Sequence, residues 1–125
     1  MPNLSEDWID WAIWQRDNQS LENPHAVAYF DLGSLVEDAP ERAWATIMSI
    51  LSTPRAEPIL GTLAAGPLED LLSYHGAAFI ERVETEASTN PEFASLLGGV
   101  WQFQMPDEIW RRVQTASGLT NLGDG

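Results

Sequence analysis

Proline stands at the head of one apolar stripe after another along this chain, and that punctuation limits what it can fold into. Asn23-Pro24, Ala39-Pro40, Gly66-Pro67, Asn90-Pro91 and Met105-Pro106 each precede apolar residues at helical spacing. Proline suits the first position of a helix, because its missing N–H would have had no partner there. Apolar residues at i, i+3 and i+4 then mark one buried face of a helix, and the alternation of a half-buried strand is missing from these stripes. The chain therefore reads as short helices joined by tight Pro and Gly connections.

Ser5 is the expected N-cap of a first helix over 5–18, with Leu4 as a staple and Glu6 and Asp7 in its first turn. A second helix, capped by Asn23 and opened by Pro24, runs to Val36 and is apolar nearly all round. That composition places it in mid-core, with Gly33 at a close helix contact and Asp31 buried beside Arg42 or Arg82. Helices follow over 40–53, from Pro58 to a stop at Gly66, over 67–75 with Gly76 as its stop, over 77–88 and over 91–97. Val100 to Met105 reads as an extended connector, and a last helix starts at Pro106. The expected fold is all-α, a compact bundle or short stack of seven to eight short antiparallel helices. It forms a single helical domain over 1–117 with a flexible C-terminal tail over 118–125.

Charge is the next constraint. Nineteen acidic residues face six basic ones, all arginine, for a net charge of −13. Such a chain repels nucleic acid and anionic membranes and associates fastest with a basic partner. No run approaches the roughly 18 apolar residues of a membrane span, and the N-terminus lacks the pattern of a signal peptide, so the expected location is cytoplasmic. With no Cys there is neither disulfide nor thiolate chemistry. No Gly-rich phosphate loop, nucleophile elbow or basic patch occurs, and no cofactor is expected.

Several strings resemble a known family. They are Asn23-Pro24-His25, Ala43-Trp44-Ala45-Thr46-Ile47, Gly66-Pro67-Leu68-Glu69-Asp70-Leu71-Leu72 with His75-Gly76, and Asn90-Pro91-Glu92-Phe93 with Val100-Trp101. They look like an uncharacterised family of small bacterial proteins, a domain of unknown function, over roughly 23–113. The resemblance implies a bacterial origin and a helical domain, and carries no activity.

Two groups of residues are candidates for function. Glu6, Asp7, Asp10, Trp11 and Trp14 would make an acidic, Trp-rich partner-binding face on the first helix, since aromatic residues dominate interface hot spots. Trp44, Trp101 and Trp110 fall on inward stripes and read as core. His25, Asp31, Glu69, Asp70 and His75 form the second group. At about 100° per residue His75 shares no helix face with Glu69 or Asp70, so a metal there would need ligands from a facing helix. Otherwise Glu69 and Asp70 serve the N-terminus of their helix and His75 interacts with the C-terminus of that same helix. Whether any metal binds, and the oligomeric state, stay open.

The leading expectation is an acidic, non-enzymatic protein-binding domain, an immunity-type or inhibitor protein docking on a basic partner. The alternatives are a small metal-binding or hydrolytic domain using Glu69, Asp70 and His75, and a structural module that self-associates through the Trp-rich helix.

Overall fold

The computed structural model describes residues 3–20 and 22–118. Among them every regular element is helical. Six helices exceed one turn: α1 (Leu4–Asn18), α2 (Ala26–Asp38), α3 (Pro40–Leu51), α4 (Glu69–Thr89), α5 (Pro91–Leu97) and α6 (Asp107–Ser117). A composite segment joins α3 to α4: a 3₁₀ turn at Pro54–Ile59, one α-turn at Leu60–Leu63 and a π-turn at Ala64–Leu68. The all-α class stands, and the expected count of seven to eight is corrected to six. Most of the expected tail, 119–125, lies outside the described residues.

The difference in count arises at two places. Pro67 does not open a new helix, because the turn before it widens and runs straight into α4. In an α-turn its ring would strike the carbonyl four residues back. The π-turn relieves that crowding, and the Glu69 N–H bonds to the Ala64 carbonyl five residues earlier. Gly76 does not stop the helix either. His75 takes a non-helical φ of −132° and ψ of 25°, which kinks α4, and the helix then continues to Thr89. Gly76 is needed for closeness instead: a Cβ there would come within 2.9 Å of Ile109 Cγ2 on α6.

The caps follow simple chemistry with two corrections. Asn3, not Ser5, caps α1, its Oδ1 accepting from the Glu6 N–H at 3.3 Å, while Ser5 is buried inside the helix. Asn23 does not cap α2. It is buried, accepts from the His25 N–H at 2.8 Å and donates to the Trp11 carbonyl at 3.0 Å, which ties the loop back to α1. Asn90 caps α5 as expected, accepting from the Glu92 and Phe93 N–H groups.

One continuous core unites the elements. Trp8, Ile9, Leu32, Ile47, Ile50, Leu63, Leu68, Leu71, Leu72, Ile80 and Phe93 are all fully buried in it. α1, α2 and α3 pack on one another, α5 and α6 pack against α4, and α4 also reaches back to α2 and α3. Trp44 packs against Phe79 and Phe93 with ring centroids at 5.8 and 5.5 Å, and Trp110 is partly buried beside the core. Trp101 departs from the expected core role: it is 73% exposed on the connector before α6.

Candidate functional site

α2 contradicts its own composition. Only Ala28, Leu32 and Val36 are buried, one stripe at i, i+4 and i+8. Leu35 packs partly buried against the core, but much of the remaining apolar surface of this helix faces outward, with Val27 72% and Phe30 66% exposed. Asp31 lies on that exposed side and not in the core, so the expected buried pairing with an arginine does not form. Arg82 pairs with Glu41 instead, at 2.7 Å.

Beside this face a cleft of about 360 Å³ opens between α2 and the start of α4. Trp8 of α1 and Leu32 and Val36 of α2 line it, all of them buried. Tyr29, Phe30, Gly33 and Glu37 of α2 form one wall, and Gly66, Pro67, Asp70 and Tyr74 form the other. The π-turn supplies Gly66 and Pro67 of this second wall and α4 supplies Asp70 and Tyr74, and π-turns recur at functional sites. Tyr29 is braced from behind by Trp11, ring centroids 4.5 Å apart, and meets Phe30 edge-on at 5.2 Å.

The two glycines in the walls have no packing role. A Cβ added at Gly33 or at Gly66 would meet nothing within 4 Å, and neither residue needs a positive φ. The expected close helix contact at Gly33 is therefore absent. Glycine in a helix interior costs about 1 kcal/mol relative to alanine, and here the cost leaves the cleft open.

The cleft is acidic and uncompensated. Burial, reinforced by the charges of Glu69 and Glu37, raises the Asp70 carboxyl above the usual aspartate range. Among the described residues no arginine lines the cleft. Arg16, Arg55, Arg82 and Arg112 are engaged with Asp17, with Glu6 and Asp10, with Glu41 and with Glu84.

The remaining sequence candidates take separate places. Glu69 Oε1 accepts the Trp101 N–H at 2.9 Å and holds the connector to the head of α4. His75 Nε2 donates to the Val36 carbonyl at 2.8 Å, in the last turn of α2, and does not serve the C-terminus of its own helix, which continues past it. His25 sits at the N-cap of α2, where its side chain makes no capping bond. Among the described residues no three His, Asp or Glu side chains are placed to hold a metal together, so the structure does not gather His25, Asp31, Glu69, Asp70 and His75 into a metal site. In the first group Trp11 is half-buried under Tyr29, Trp14 is half-buried and Asp7 is exposed. Glu6 and Asp10 grip Arg55 at 2.7 and 2.9 Å. Sequence reasoning passed over Tyr29, Phe30, Gly33, Glu37 and Tyr74. The available signal was an apolar helix carrying more apolar faces than one core can cover.

Fold and site together define an all-α domain with an aromatic-walled acidic cleft. The chain belongs to the family of unknown function DUF6869, whose model matches residues 12–119. Comparison with curated proteins and with solved structures finds no match. No helix among the described residues is long and apolar enough to cross a membrane.

Proposed function

We propose that this protein is a non-enzymatic binding domain that docks a basic protein partner on the outer face of α2 and the mouth of the adjoining cleft, in the manner of an inhibitor or immunity protein. One observation carries the reading: Tyr29, Phe30 and Tyr74 are exposed aromatic residues lining a cleft whose charged lining among the described residues, Glu37 and Asp70, is acidic, and Val27 is exposed on the same helix. Contiguous exposed apolar surface rimmed by polar groups is characteristic of interaction sites. The net charge of −13 selects a basic partner and speeds its approach.

Affinity capture from the native host with the wild-type chain and with Phe30→Ser tests this. Phe30 is largely exposed, so the substitution leaves the fold intact, which thermal unfolding checks. The expected result is a basic protein held by the wild type at low salt, released at high salt and lost with Phe30→Ser. Capture that ignores both salt and the substitution contradicts the reading.

A further inference from the structure

We infer that the cleft between α2 and the π-turn receives a single arginine side chain of the basic partner, its guanidinium between the Tyr29 and Tyr74 rings and facing the Asp70 and Glu37 carboxylates. This rests on the proposed docking role and names the group that role selects.

Size comes first. A cleft of about 360 Å³ is near the lower end of the range for ligand pockets, about 300–1,000 Å³. It holds an extended side chain and excludes a packed helix. The walls come next. Aromatic faces attract a cation, and a guanidinium, more weakly hydrated than an ammonium, stacks on them as a plane. Charge then decides the occupant: Asp70 is partly buried with the charges of Glu69 and Glu37 acting on it, and among the described residues no arginine lines the cleft. An incoming guanidinium offsets that repulsion and donates to the Asp70 and Glu37 carboxylates, for which no ion pair forms among the described residues.

The glycines are an independent observation. Gly33 and Gly66 both line the cleft, and a Cβ at either would meet open space. The fold does not require either to be glycine. A side chain at position 33 would occupy the room an incoming side chain needs.

The test uses the whole chain and two blocked tripeptides, acetyl-Gly-Arg-Gly-amide and its citrulline counterpart, which keeps the shape and loses the charge. Binding is read from backbone amide chemical shifts at low salt. The expected result is that the arginine peptide moves Gly33, Asp70 and Tyr74 while the citrulline peptide binds at least about tenfold more weakly, the ratio expected for losing one charge-assisted contact. Asp70→Asn weakens the arginine peptide about tenfold, and Gly33→Leu abolishes its binding while leaving the spectrum folded. Gly61→Ala, at a glycine outside this cleft whose added Cβ also meets nothing, leaves it unchanged. Equal binding of both peptides, or arginine-peptide shifts spread away from these residues, overturns the inference. The two proposals fail separately. If Phe30→Ser loses the captured partner and Asp70→Asn and Gly33→Leu keep it, the docking face stands and the arginine pocket falls.

Discussion

Two contacts made by α4 differ sharply. Along α6 it is closed: Gly76 lets Ile109 approach until no Cβ would fit, and Arg112 clasps Glu84 on the rim at 2.6 and 2.9 Å. Toward α2 it is open, held by the His75 bond to the Val36 carbonyl at one end and parted around the cleft at the other. Both contacts contain glycine. At the α6 seam the missing side chain brings two helices together, and in the cleft the missing side chains leave a space that no described residue fills. Glycine in a helical stripe therefore has two opposite meanings, and only the neighbouring helix says which applies.

The difference is most easily broken by substitution at the glycines. Gly76→Val forces a branched side chain against Ile109 and is expected to destabilise the fold by about 2–3 kcal/mol through overpacking. Denaturant unfolding measures it, and an unchanged midpoint would mean that the seam is looser than its geometry. Gly33→Ala goes the other way. It meets no neighbour and gains helix propensity, so unfolding should show a stabilisation of about 0.5–1 kcal/mol.

A smaller effect is expected at Asp70. Folding raises its pKa, so the native state holds the proton more tightly than the unfolded chain. Stability therefore falls as pH rises from the ordinary aspartate value of about 3.9 through the raised native value. Asp70→Asn removes that loss. The variant should unfold at a higher temperature than the wild type at neutral pH, and the gap should close below the ordinary aspartate range, where both side chains are neutral. A gap that persists in acid would assign the effect to something other than charge. The smallest effect belongs to the half-exposed Arg112–Glu84 pair. Glu84 has its pKa lowered by Arg112, so the pair's contribution is present at neutral pH and lost as pH falls through the carboxylate range. Arg112→Gln should accordingly shift unfolding slightly at neutral pH and not at all in acid.

These outcomes also mark what the residues disclosed in advance. Helical spacing and the Asn90-Pro91 cap were legible, because both depend on neighbours within one turn. The helix over 67–75 was not. Gly66-Pro67 reads as a start in isolation, and only the widened turn shows how proline is carried inside a longer helix. Asp31 and Trp101 were misplaced for a related reason. An apolar environment in sequence is not burial in space, and α2 offers more apolar faces than its neighbours cover. Asp70 was legible as a candidate but its setting was not, since the walls around it come from α1, α2 and the π-turn.

The most direct test of the docking face is hydrogen exchange on the complex with the captured basic protein, compared amide by amide with the free chain. Residues 27–37 and 66–74, which line or flank the cleft, should gain protection while the seam between α4 and α6 stays unchanged. Protection confined to α1, or gained along the seam, would contradict the assignment of the open face as the site of binding.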